Sequence, residues 1–268
     1  MNFEQSNIFN VTESNFKKIL GTENAILVNN GTAALHTAYL ALEIGKGDEV
    51  IVPSYTYYST VNMIIACGAT PIFCDINPVT YLMDTTKLIK LMTNKTKAIV
   101  FVCLFGKEPS EADIKNLDLG VPVIMDCAQC FKQNMGQYYD IQCFSFYRSK
   151  NLSSLEGGLI TTNDKELANK CRIISNQGED GKYNTTMLGF NYRMNELTAT
   201  MLNHNLTYHE KGWNSELGRF SPKDGHYPNV VYEQPLYKRL GYYDIWKGKC
   251  PNAEMIAKEV REKYWCKK

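Results

Sequence analysis

Between residues 21 and 176, short apolar runs alternate with segments whose apolar positions recur at helical spacing. The runs lie at 49–52, 71–74, 98–103, 122–125, 142–146 and 158–162. They are nearly continuous in apolar character, the form taken by strands buried on both faces. The intervening segments at 32–43, 58–66, 85–92, 111–116 and 164–175 predict helices, and Gly45 and Gly68 follow two of them as natural stops. Alternation of this kind predicts an α/β domain with a mostly parallel sheet. Ligands in such sheets bind beyond the carboxyl ends of the strands, so residues just after each run are the functional candidates.

After Glu210 the pattern changes. Residues 211–244 are rich in Gly, Pro, Tyr and charge without a clear period, and a helix is predicted at 252–264. This predicts a larger domain over 1–206 and an abbreviated C-terminal domain over 207–268 with little core of its own.

Composition narrows the function classes. Basic and acidic residues balance to a net charge of +1, which favours neither a nucleic acid nor an anionic membrane as partner. The longest strongly apolar stretch, 98–105, is too short to span a bilayer, and the start of the chain lacks the basic and apolar regions of a signal peptide. A cytoplasmic protein is expected. Nine scattered cysteines, several inside apolar runs, read as buried reduced thiols rather than a disulfide framework. Cys127 and Cys130 have redox or metal spacing but no second pair, so no metal site is expected.

Four features follow predicted strands. Asn29-Asn30-Gly31-Thr32 turns into a helix, whose N–H groups and Thr hydroxyl can seat a phosphate; taken alone, a plain helix start with Thr32 as cap is the preferred reading. Asp126 ends the run before it and can hold a proton on a pyridine nitrogen, or cap a following helix. Ser145 and Lys150 flank the end of the next run, where a desolvated amine becomes nucleophilic; a solvated loop lysine is the ordinary alternative. Tyr55, Tyr57 and Tyr58 offer a ring that stacks on a planar cofactor or packs in the core.

Their order along the chain resembles the DegT/DnrJ type of sugar-nucleotide aminotransferases, within the fold type I enzymes that use pyridoxal 5′-phosphate. The resemblance is carried by Asn30-Gly-Thr-Ala-Ala-Leu35, Gly47-Asp-Glu-Val-Ile-Val-Pro-Ser-Tyr-Thr56, Gly68-Ala-Thr-Pro71 leading into Asp75, and Asp126-Cys-Ala-Gln129. It continues through Phe144-Ser-Phe146 with Lys150-Asn151, Glu156-Gly-Gly158, Thr162-Asn-Asp164 and Gly189-Phe-Asn-Tyr-Arg-Met-Asn-Glu196. A shorter match returns at His226-Tyr-Pro228 and Gln234-Pro-Leu-Tyr237. The resemblance implies a fold type I large domain, with Lys150 as Schiff-base lysine and proton carrier and Asp126 paired with the pyridine nitrogen. It implies Tyr57 as the stacking ring, with Tyr55 or Tyr58 as substitutes, and Gly31, Thr32 and Ser145 as phosphate contacts. Gln129 is implied near the cofactor ring, and Asn191 as a residue reaching the phosphate of the neighbouring subunit, hence a homodimer with shared sites. The implied reaction takes an amino group from glutamate to a keto-sugar nucleotide, as in amino-sugar biosynthesis.

The chain departs from the family pattern in four places. The arm before Gly21 is abbreviated, and the stretch between Leu206 and His226 is brief. Tyr232 and Cys103 stand where the family has histidines. These departures leave open another keto substrate, such as a cyclitol, and a non-catalytic binding or regulatory protein that keeps the cofactor cradle.

Overall fold

The structure, a computed structural model, describes residues 7–137, 139–209 and 226–266. Its elements are α1 (Asn7–Leu20), β1 (Asn24–Val28), α2 (Gly31–Ala41), β2 (Glu49–Pro53), α3 (Tyr58–Ala66), β3 (Thr70–Cys74), α4 (Leu88–Leu91), β4 (Thr96–Val102) and α5 (Glu111–Leu117). They continue with β5 (Val123–Asp126), β6 (Ile141–Ser145), β7 (Gly158–Thr162), α6 (Lys165–Ser175), α7 (Glu196–His209), α8 (Pro235–Arg239), α9 (Tyr242–Trp246) and α10 (Pro251–Val260). All six predicted strands are present within a residue or two at each end. The α/β class with mostly parallel strands flanked by helices is the observed architecture.

By packing, the chain forms two compact units, each built from two separated stretches. The first comprises Met1–Glu43 and Ile124–Arg219, the second Ile44–Val123 and Phe220–Lys268. The described part of 207–268 that follows the brief stretch therefore packs with residues 44–123. Residues 210–225, which hold most of that stretch, lie outside the described residues.

In the first unit the strand order is β1-β7-β6-β5. β5 and β6 run parallel, whereas β7 is antiparallel to both β6 and β1. The antiparallel strand is possible because a backbone-bonded loop, rather than a crossover helix, joins β6 to β7. Helix α1 buries Thr12, Phe16, Ile19 and Leu20, one face at helical spacing. Phe16 stacks on Phe146 at 5.3 Å and meets Phe131 edge-on at 5.7 Å, an arrangement that suits the quadrupoles of the rings. Asp164 caps α6 by accepting from the N–H groups of Glu166 and Leu167 at 2.7 and 3.0 Å.

In the second unit the order is β4-β2-β3, all parallel. The segment predicted helical at 85–92 is a 3₁₀ turn, Thr85–Lys87, running into the single turn of α4. Ser110 and Asp113 form a reciprocal capping box at the start of α5. The C-terminal stretch docks here through buried polar contacts. Val231 N–H donates to the Ser54 carbonyl at 2.9 Å, and the Tyr237 hydroxyl donates to Asn62 at 2.6 Å.

Asp75, 2% exposed at the end of β3, ties α10 to the sheet. Its Oδ1 accepts from the N–H groups of Ile76 and Ala253 at 2.9 and 3.0 Å. Its Oδ2 accepts from Lys87 Nζ at 2.9 Å and from Asn252 N–H at 3.2 Å. A carboxylate is the right group because every neighbour is a donor, and two of them are first-turn N–H groups of a helix. Asp75→Asn would turn an amide N–H₂ against these donors. A loss of about 1–3 kcal/mol is expected, seen as a lower urea midpoint with faster amide exchange in α10. An unchanged midpoint would show that Asp75 does not anchor the helix.

Candidate active site

Sheet register brings the candidate residues of the first unit to one edge. Asp126 of β5 lies opposite Cys143 of β6, and Ser145, two residues further along β6, pairs with Gly158 of β7. Gly158 in turn pairs with Val28, the last residue of β1, whose chain continues into Asn30 and Gly31. Residues that close β1, β5 and β6 therefore share the carboxyl edge of their strands, where α/β proteins place ligands.

The start of α2 is built for close approach. Asn30, not Thr32, is the N-cap: its side chain accepts from Ala33 N–H at 2.8 Å, and its carbonyl accepts from Ala34 N–H at 3.1 Å. Thr32 sits inside the first turn, which corrects its reading as the cap. Capping thus uses the N–H of Ala33, while those of Gly31 and Thr32 belong to the set that a helix start leaves without intrahelical acceptors. A β-carbon on Gly31 would lie 2.7 Å from the Ser145 β-carbon and 3.2 Å from its hydroxyl oxygen. Gly31 therefore lets the Ser145 hydroxyl stand beside the helix start, where such groups could seat an anion. Gly158 is required for the same reason, because a β-carbon there would sit 2.4 Å from the Asn30 carbonyl oxygen.

Asp126 is 4% exposed and accepts from Ala128 N–H at 3.0 Å, a tight side-chain turn. Among the described residues no α-helix follows it before β6, so it caps none there. Gln129, half-buried, belongs to the turn that follows. Lys150 is half-buried in the loop from β6 to β7. That loop is held by its own backbone: Phe146 N–H to Gly157, Arg148 N–H to Leu155, Lys150 N–H to Tyr147 and Ser154 N–H to Phe146, all at 2.8 to 2.9 Å. Asn205 of α7 adds a bond of 2.7 Å to the Ser153 carbonyl. Burial lowers the Lys150 amine below the ordinary lysine range, and the Asp126 carboxylate opposes that shift. Lys150 is thus close enough to feel Asp126 while being easier to deprotonate than a solvated lysine.

These residues fit pyridoxal phosphate by chemistry. A neutralisable amine suits its aldehyde, a buried carboxylate suits a pyridinium, and the Gly31–Ser145 seat suits a phosphate. Asn191 is exposed, and its own backbone pairs with Asn176. In the second unit, Tyr55 is fully buried and donates to the His226 carbonyl at 2.8 Å, so its ring is core. Tyr57 and Tyr58 are 46% and 44% exposed, with hydroxyls 2.8 Å apart and ring centroids 4.1 Å apart. Of the three tyrosines, only these two present a ring to a ligand.

The model of the DegT/DnrJ/EryC1/StrS aminotransferase family matches residues 5–216. The chain belongs to that family. A GDP-perosamine synthase of Caulobacter vibrioides is 41% identical over 198 residues, covering 70% of this chain and 53% of the relative. The chain spans about half the length of the curated relatives it matches at this level. Among solved structures, S. venezuelae DesV in complex with a ketimine intermediate aligns with a TM-score of 0.83 at 26% identity, covering 93% of this chain and 81% of that one. NtdA of Bacillus subtilis, with bound cofactor PMP, aligns at 0.81 and 25% identity, over 93% of this chain and 70% of that one.

Three positions acquire roles that their sequence did not show. Gly158 lets the Asn30 carbonyl approach β7 closely, and Asn205 braces the β6–β7 loop through Ser153; the Gly-Gly pair at 157–158 was the legible sign. Tyr232, in place of a family histidine, is fully buried, donates to Glu254 at 2.7 Å and packs edge-on against Phe73 at 5.3 Å. Cys103, the other replacement, is also fully buried. Among the described residues, no group of three or more His, Cys, Asp or Glu could hold a metal ion, and no helix is long and apolar enough to cross a membrane.

Proposed function

We propose that the chain holds pyridoxal 5′-phosphate covalently on Lys150 and uses it to move an amino group from glutamate to a keto-sugar nucleotide. The observation that carries this reading is the half-buried Lys150 amine, lowered by burial and acted on by the buried Asp126, at the strand edge where Gly31 closely approaches Ser145. Family membership supports it, as do a relative named for a GDP-linked amino sugar and a similar structure carrying the cofactor's aminated form. When bound, the cofactor supplies a carbonyl that accepts an amino group and a ring that draws electron density from the reacting carbon.

Lys150 would form the covalent link and would act as the base that holds and moves a proton at its amine. Asp126 would keep a ring nitrogen protonated. Gly31, Thr32 and Ser145 would hold the phosphate, and Gln129 and Tyr57 would serve the ring. Asn191 reaches the phosphate of a second copy, so the working form is a homodimer with shared sites; its exposure on the single chain suits that role.

The test is spectroscopic. Protein incubated with pyridoxal phosphate should turn yellow, and glutamate should bleach that band until a keto-sugar nucleotide restores it. Protein that stays colourless would overturn the cofactor assignment. A yellow band indifferent to every amino donor would favour the regulatory alternative. Sedimentation of the same sample should give a dimer, and a monomer retaining full cofactor would remove the role given to Asn191.

A further inference from the structure

The near balance of charge over the whole chain conceals one uneven segment. Residues 235–249, which form α8, α9 and the turns beside them, hold Lys238, Arg239, Lys247 and Lys249 against the single carboxylate of Asp244. The remaining residues therefore carry a small net negative charge. All of the segment belongs to the second unit.

Its inner side accounts for its place in that unit. Tyr237 is buried, and Tyr242 and Trp246, four residues apart on α9, both meet Phe73 of β3 edge-on, at 6.3 and 5.6 Å. Gly241, with a φ of 82°, turns the chain between the two helices. These contacts leave Leu236, Leu240 and Ile245 exposed, with the four cations exposed among them. Leu236 and Leu240, also four apart, share one side of α8.

The cations gather where no carboxylate offsets their repulsion. Lys238 and Lys247 stand 4.9 and 5.3 Å from the same Tyr243 ring centroid, and Lys249 stands 5.3 Å from that of Trp246. Ring faces attract ammoniums, but only weakly at an exposed site. Among the described residues, neither these three lysines nor Arg239 pairs with a carboxylate, and Asp244 pairs with no cation. Elsewhere Lys87, Lys170, Arg172 and Arg261 each meet one.

We propose that the outer side of α8 and α9 docks on an anionic lipid bilayer, with its four cations among the headgroups and Leu236, Leu240 and Ile245 at the acyl boundary. Cations beside exposed aliphatic side chains, with a tyrosine and a tryptophan between them, match the layered chemistry of that interface, where charge lies outside and hydrocarbon beneath. A nucleic acid offers the charge but no hydrocarbon for the aliphatic side chains. A fixed acidic protein surface selects the bidentate fork of arginine, whereas three of the four cations are lysines, flexible point charges that follow mobile headgroups. The small negative excess on the rest of the chain orients this side toward the membrane. The chain lies on the surface rather than across it, because α8 and α9 are five residues each.

The test is flotation of the purified chain with vesicles of phosphatidylcholine alone, and of phosphatidylcholine and phosphatidylglycerol in equal parts. The parent should float with the anionic vesicles, stay behind with the neutral ones, and be released by salt. Lys238→Gln with Lys247→Gln should weaken binding roughly 10–30-fold, since each cation near such a surface contributes about fivefold. Leu240→Ser with Ile245→Ser should weaken it about fivefold and keep its salt dependence. Lys17→Gln with Lys18→Gln removes the same charge from exposed positions of α1 and should bind as the parent does. No parent binding to anionic vesicles, or an equal loss in the α1 variant, would overturn the docking surface. Parent-like binding in the Leu240 and Ile245 variant would overturn the apolar contact. Retention on heparin or on an acidic peptide without vesicle binding would give the cations to a soluble polyanion and overturn the lipid. Every substituted side chain is exposed, and an unchanged thermal midpoint shows that each variant is folded.

Discussion

Lys150→Ala is expected to abolish the covalent link and to lower amino transfer by roughly 10²–10⁴-fold, the range for loss of a positioned acid–base group. The variant should still bind pyridoxal phosphate reversibly, because the Gly31–Ser145 seat and Asp126 are untouched. Its imine band should give way to that of the free aldehyde, and borohydride should no longer fix the cofactor to the peptide that contains residue 150. Lys150→Arg should fail equally, since a guanidinium is not neutralised at any working pH and forms no imine. Retention of both the label and the activity in Lys150→Ala would assign the chemistry to another lysine.

Asp126→Asn should act in two opposite directions. Burial lowers the Lys150 amine and the Asp126 carboxylate holds it up, so removing that charge lets the amine fall further. In apoprotein, the rate of imine formation with pyridoxal phosphate should therefore rise at lower pH than in the parent. Amino transfer itself should drop about 10²–10³-fold, because the ring nitrogen loses the charge that keeps it protonated. The same coupling sets a sign for stability. Folded Lys150 binds its proton less tightly than the unfolded chain does, so its contribution becomes more favourable as pH climbs from its lowered value to the ordinary lysine range. A pH profile of imine formation unchanged in Asp126→Asn would show that the carboxylate does not act on the amine.

Legibility varied from one element to another, and the causes are physical. β2 through β7 were visible because a strand buried on both faces needs a nearly unbroken apolar run. α1 was not marked as an element, although its buried positions at 12, 16, 19 and 20 carry a clean period. α7 is harder. Among its described side chains it buries a narrow stripe of Ala199, Leu202 and Leu206 while leaving Leu197 84% and Met201 40% exposed, so these apolar positions form no single face. The short helices α8 and α9 were hidden because five residues are too few to establish a period.

The chemistry of the candidate site, by contrast, was written in residue types and order. An acid closing one run, a serine and a lysine around the end of the next, and a glycine opening a helix supply the charges and donors from which the candidate site was read. What the sequence could not determine is spacing across non-adjacent strands. Only the register of β1, β5, β6 and β7 sets Asp126, Ser145, Gly158 and Gly31 along one edge. Only burial in the folded chain lowers the Lys150 amine. The tertiary structure likewise made Tyr55 core and Tyr57 exposed, and it turned Asp75 into the anchor of α10. These outcomes depend on contacts between residues far apart in the chain, and a local pattern does not encode which distant donor will meet a given carboxylate.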